Sequence, residues 1–203
     1  ATSFPAHPRF EPGEVEVRPR ELQVAYDYVE RALGDKEGRV PLGPDAAAGR
    51  RIANPLGVGK AAETHFLMGD DYFGTWGPEF ERRLGARDAD ARGPVTVGEV
   101  RGWIRMMEPA LGLARDVADL VILAWAALRR RAWFAHGAPI PTPKPGALRD
   151  EMELRVQPMP SPQLWATVTA LAGAVFGVHA SAYVTPAEVA RLASAVHDKA
   201  VAW

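Results

Sequence analysis

The chain has 203 residues, 47% of them hydrophobic, enough to bury a core in one large or two small domains and an argument against disorder for most of its length. Lysine and arginine number 24 against 25 aspartate and glutamate, a formal net charge of -1, so no global field draws in nucleic acid or an anionic membrane. Cysteine is absent, which removes disulfides, thiol nucleophiles and cysteine-type zinc sites and suits a cytoplasmic protein.

Residues 1–19 carry Pro5, Pro8, Pro12 and Pro19 around the alternation Glu14-Val15-Glu16-Val17-Arg18, so an extended arm is expected, with room for one edge strand over 14–18. From Pro19 a helix is predicted, because Leu22, Tyr26, Val29 and Leu33 recur at three and four until Gly34. Glycine and proline then punctuate residues 35–58, with a short helix expected over 45–52. Further short helices are predicted at 61–68 and 78–84, on either side of Gly69-Asp70-Asp71-Tyr72.

Thr96-Val97-Gly98-Glu99 has the form of a capping box, with Thr96 as N-cap of a helix to about Met107. From about Arg115 to Phe134 the string is apolar almost all round, which marks a central helix with Trp125 in the core. It falls short of the roughly 20 apolar residues needed to span a bilayer. Prolines between Ala138 and Pro160 leave two extended segments, near Ile140 and over 153–157, that are expected to pair as a β-ribbon. Ser161-Pro162 opens a helix to Gly177, and Thr185 caps the last one, which carries no stop signal. That open end and the start Ala1-Thr2-Ser3 are the pattern expected of a piece of a longer protein.

The fold class expected is therefore mainly α: a multi-helix globular domain with a small β-ribbon, and a winged-helix-like arrangement is conceivable around residues 95–157. Three parts are expected, an arm over 1–19, a helical and loop-rich subdomain over 20–94, and a helical core subdomain with the ribbon over 95–203.

Candidate chemistry is sparse. "NPLGVGK" imitates a phosphate-binding loop, but Asn54 stands where the first glycine of G-x-x-x-x-G-K-[ST] belongs, and Ala61 offers no oxygen for magnesium. It reads as a structural turn. No two histidines stand at metal-ligand spacing, so no metal site is expected. Glu63-Thr64-His65 joins an acid, a hydroxyl and an imidazole; the structural reading, a buried polar knot with His65 in it, outweighs a small hydrolase using Glu63, His65 and Asp70. Asp70-Asp71 reads as a turn or helix-start element.

Arg129-Arg130-Arg131 suits a helix C-terminus, and with Arg101 and Arg105 beside Trp103 it could also form a basic patch for DNA phosphates. Against a recognition role, residues 120–128 present only Leu, Val, Ile, Ala and Trp.

Several strings together, "RRIANPLGVG" with "ETHFLMGDDY", then "PVTVGEVRGWI", "DVADLVILAWAALRRRAWF" and "LRDEMELRVQPMPSPQLW" ahead of "AVFG", resemble part of the PglY-type large ATPases of the phage-growth-limitation and BREX phage-exclusion loci. The likeness runs from about residue 9 to the end. It implies a multidomain parent of the AAA+ kind whose nucleotide loop lies elsewhere, with ATP and magnesium bound there and no cofactor on this segment. The function it implies is a non-catalytic helical segment of a phage-defence ATPase, docking other phage-defence proteins or shaping the ATPase assembly, with no membrane contact. The alternative is a DNA-contacting module working through Arg101, Arg105, Arg129, Arg130 and Arg131.

Overall fold

The computed structural model describes residues 4, 6–10, 16–87, 94–156 and 158–202. Helix α1 (Pro19–Leu33) begins where the Glu21 carboxylate accepts the Arg18 backbone N–H at 2.9 Å, and it buries Leu22, Ala25, Tyr26, Tyr28, Val29 and Ala32. Strand β1 (Arg39–Pro41) follows, and then a continuous helical stretch. That stretch consists of α2 (Ala46–Ala48), a π-helical turn over Gly49–Ala53, and α3 (Asn54–Leu56).

Residues 61–68 are not helical. Strands β2 (Lys60–Ala61) and β3 (His65–Leu67) form an antiparallel sheet with β1, in the order β1-β3-β2. Over His65–Leu67 the burial alternates with period two, and Phe66 points inward to stack on Tyr28 with ring centroids 5.4 Å apart. One buried aromatic between two half-covered neighbours selects a strand, whatever the local helix propensity.

The "NPLGVG" turn is built from these contacts. Gly57 has φ 69° and Gly59 φ 117°, and a Cβ on Gly59 would lie 2.4 Å from the Phe66 ring. The loop's N–H groups are already used, Gly57 on Asn54 O, Val58 on Ala53 O, Gly59 on Tyr72 O, and Ala61 on the Asn54 side chain. A phosphate cradle needs such groups free.

Helices α4 (Trp76–Gly85), α5 (Val97–Arg105) and α6 (Arg115–Leu128) complete the main core. At Thr96 both halves of the capping box are made, since its hydroxyl accepts the Glu99 N–H at 3.2 Å and Glu99 accepts the Thr96 N–H at 2.8 Å. Every residue of α6 from Val117 to Ala126 is buried. Trp125, 0% exposed, meets Phe80 and Trp103 edge to face at 5.4 and 6.1 Å.

α6 ends six residues before Phe134. Arg130 takes φ 50°, and the chain continues as β5 (Arg131–Ala135), with Arg131 and Trp133 buried and their neighbours less so. The ribbon is correspondingly different from the one expected. Strands β6 (Ala138–Ile140) and β7 (Glu153–Val156) pair with β5 on its two sides, and β4 (Val95–Thr96) pairs with β7, giving the antiparallel order β4-β7-β5-β6. Three arginines that suit a helix C-terminus hid the change of period at residue 131, and so hid the strand that both segments need. Of the edge strand expected over 14–18, residues 14 and 15 lie outside the described residues, as does Gln157 in the ribbon, and 16–18 carry no strand.

Helices α7 (Pro162–Phe176) and α8 (Pro186–Val201) close the described chain. The main hydrophobic cluster runs from Leu22 to Leu154, whereas α7 and α8 share a second cluster of Trp165, Ala172, Val178 and Leu192. The main body is thus mainly α with two small antiparallel sheets among the described residues.

Candidate interaction surface

Helix α7 is set by strong local signals. The Ser161 hydroxyl accepts the Leu164 N–H at 3.2 Å, and Pro162 sits in the first turn. At the other end Gly177 takes φ 66°; its N–H bonds Gly173 O and that of Val178 bonds Ala172 O, a left-handed glycine stop. One face looks inward. Trp165 and Ala172 are buried there against Val178 and Leu192, with Phe176, Val189 and Val196 packed round them, and the Trp165 indole N–H donates to Ser181 O at 2.9 Å.

The outer face of α7 is apolar as well. Leu164, Val168, Leu171 and Val175 remain 53%, 39%, 59% and 48% exposed. Their spacing of four, three and four places them in one line along the helix. No residue from Pro162 to Phe176 is charged. The hydroxyls of Thr167 and Thr169 are spent on the helix's own carbonyls at Gln163 and Ala166. A helix apolar on both sides but covered on one is an unfilled contact surface.

The arginines proposed from sequence go to separate places. Arg101 is 6% exposed and is gripped by Asp119, whose Oδ1 accepts its Nη2 at 2.5 Å, by Asp150, and by Leu148 O at 2.9 Å. The second Asp119 oxygen accepts the Gly146 N–H at 3.1 Å. Burial pushes the Asp119 carboxyl above its ordinary range even though Arg101 and the backbone N–H groups of Leu148 and Gly146 pull it down. Arg129 bonds Asp70 at 2.6 Å and Glu81 at 2.7 Å; burial works against its charge, but those two carboxylates outweigh it and raise its pKa. Arg131 is buried with its guanidinium 4.6 Å from the Trp125 ring centre, and burial lowers its pKa. Arg105 and Arg130 are exposed.

Glu63 and Thr64 lie on the surface and His65 is half-buried on β3, so this trio is no buried knot. Thr64 Oγ1 and His65 Nδ1 are 2.9 Å apart in the open. The tie between the loop and the helical stretch is made instead by Asn54, paired with both backbone groups of Ala61, and by Arg50, which donates to Ala62 O and Glu63 O. The signal was available in Asn54, whose side chain copies a backbone pair. Among the described residues no three histidine or acidic side chains converge as a metal-binding group. No helix among them is long and apolar enough to cross a membrane.

These observations define a helix-rich module in which buried polar side chains serve packing, and in which the outer face of α7 gathers four of the exposed large apolar side chains on one helix. The family described as the BREX System ATPase PglY protein 5th domain matches residues 20–126, more than half of the chain, and the chain belongs to that family. It is a domain of a PglY-type BREX ATPase, consistent with a component of phage defence. Helices α7 and α8 lie beyond the matched residues. No solved structure matches the chain.

Proposed function

We propose that this domain is a non-catalytic docking element of a phage-defence ATPase, which seats other defence proteins or neighbouring parts of the ATPase, in the cytoplasm. ATP and magnesium are handled elsewhere in the parent protein. The observation that carries this reading is the uncharged line Leu164, Val168, Leu171 and Val175, exposed on a helix whose other side is packed. Burying four aliphatic side chains in a partner is favourable by about 25 cal/mol per Å² of apolar surface removed from water. The test is Leu164→Asp with Leu171→Asp in the full-length ATPase. The expected result is loss of assembly with the other defence proteins and of phage restriction, at unchanged helix content. Intact assembly and restriction would overturn the reading.

A second reading, a DNA-contacting winged-helix-like module, draws on the connectivity β4-α5-α6-β5-β7 with sheet order β4-β7-β5, and on the exposed Arg105 and Arg130. It ranks lower because the helix in the recognition position, α6, is buried from Val117 to Ala126, while Arg101 and Arg131 are committed inside the core. Binding to duplex DNA that weakens steeply with salt and is lost in Arg105→Ala with Arg130→Ala would promote it.

A further inference from the structure

We propose that the outer face of α7 is a self-complementary seam, along which two copies of this domain pair with their α7 helices antiparallel. The proposal rests on the docking reading above and names the occupant of that surface.

An antiparallel neighbour reads the line Leu164, Val168, Leu171, Val175 backwards. With the two-fold axis between residues 169 and 170, Leu164 faces Val175 of the second copy, and Val168 faces its Leu171. Every layer then holds one leucine and one valine, so a large and a small side chain meet at each level and the two helix axes stay evenly spaced. A parallel pair would instead stack leucine on leucine and valine on valine, alternately wide and narrow. Both ends of the seam would also place helix dipoles of the same sign together, whereas the antiparallel pair opposes them.

Charge points the same way. A surface that meets its own copy across a two-fold places each group near itself or its near neighbours, so any charge on it repels. From Pro162 to Phe176 there is none. The residues beside the seam on its solvent side, Thr167 and Ala174, are small and exposed, which lets the helices approach closely. A lipid surface fits less well, because helices that lie in a bilayer interface carry lysine or arginine on their polar side. Stable two-copy interfaces cover about 800 Å² per partner, and four aliphatic side chains per copy supply less. The pair is therefore reversible and concentration-dependent on its own, and is reinforced in the parent ATPase by effective concentration.

The chain has no cysteine, so a single introduced thiol reports one position without interference. Leu164→Cys and Val175→Cys proteins are mixed, oxidised gently and run without reductant, beside each variant alone and beside Ser194→Cys on exposed α8 as a control for chance collision. A disulfide requires Cβ atoms about 4 Å apart. The mixture is expected to yield a mixed dimer at least about tenfold above either variant alone, and sedimentation of the unaltered chain should shift toward a dimer as concentration rises. Dimers of Leu164→Cys with itself would show a parallel pair and overturn the register. Monomeric sedimentation at all concentrations, with cross-linking no greater than for Ser194→Cys, would overturn self-pairing altogether. If Leu164→Asp with Leu171→Asp still abolished assembly of the full-length ATPase in that case, docking on α7 would stand with another occupant.

Discussion

The main body and the α7–α8 pair solve the same burial problem with different completeness. In the main body α6 is covered on all sides, and Arg101 enters the core with its partner Asp119, while the buried Arg131 lies over the Trp125 ring. In the α7–α8 pair four residues are buried while four large aliphatic side chains on α7 alone stay in the open. Hydrophobic composition is high in both α6 and α7, so composition does not separate a core helix from a contact helix. What separates them is whether the rest of the fold supplies a second and third neighbour.

The comparison breaks first at Trp125. Trp125→Ala removes the indole on which Phe80, Trp103 and Arg131 converge, and is expected to cost about 3–5 kcal/mol by denaturant unfolding. An unchanged midpoint would mean that the main body is not closed round α6. Asp119→Ala comes next, at about 3 kcal/mol, because it leaves the buried Arg101 with the exposed Asp150 and one carbonyl. Replacing both partners, Arg101→Met with Asp119→Leu, should cost less than Asp119→Ala alone. If the double change proves worse, the ion pair is contributing more than mutual compensation.

Much of this contrast could be read from the sequence, and the part that could not has a local cause. Helix starts were legible because Thr96, Ser161 and Thr185 combine a capping oxygen with a proline or a glutamate at fixed offsets, and α6 was legible from the unbroken apolar run of residues 120–128. The strands were not. β3 is three residues long and β5 begins directly after a helix with an arginine that points inward, so neither offers enough alternation to compete with a helical pattern. The fates of the arginines were equally hidden: Asp119, Asp150, Asp70 and Glu81 meet them from 18 to 59 residues away in sequence. The outer stripe of α7 was in plain view as letters, but only the packing of its other side shows that Leu164 and Leu171 are left uncovered.

The caps sharpen the comparison at a smaller scale. Thr96→Ala and Thr185→Ala each remove a hydroxyl that accepts a backbone N–H, at 3.2 and 3.1 Å, and each should cost about 1 kcal/mol locally. Thr96 lies in the main body, so its loss should lower the global unfolding midpoint. Thr185 lies in the smaller cluster, so its loss should speed hydrogen exchange in α8 while the core amides of α6 stay protected. Equal effects on the global midpoint would show that the two clusters unfold as one.

Acid titration tests the main body's surface. Arg82 and Arg83 hold the Glu79 carboxyl down to about 2, from an ordinary value of 4.5. A carboxyl depressed on folding stabilises the protein above pH 4.5 and loses that contribution as pH falls toward 2. Glu79→Gln should therefore flatten the acid limb within that window. Because Arg82 is mostly exposed, the loss at neutral pH should stay below about 1 kcal/mol. An acid limb of unchanged slope would show that Glu79 titrates normally.

The smallest expected change in folding is at Leu171, and it is the most direct test of the difference between the two regions. Leu171 is the most exposed of the four aliphatic side chains on α7, at 59%, and the face that holds Trp165 and Ala172 turns away from it. Lysine is nearly as good a helix former as leucine, and its charge would sit in water. Leu171→Lys should therefore leave the unfolding free energy within about 0.5 kcal/mol, as surface substitutions usually do. The same change at the buried Leu123 of α6 would place an unpaired charge in the core and unfold the domain. The measurement is thermal unfolding in dilute protein, where contacts between copies are absent. A loss of more than about 1 kcal/mol at Leu171 would mean that the outer face of α7 packs on its own domain, leaving no surface there for a partner.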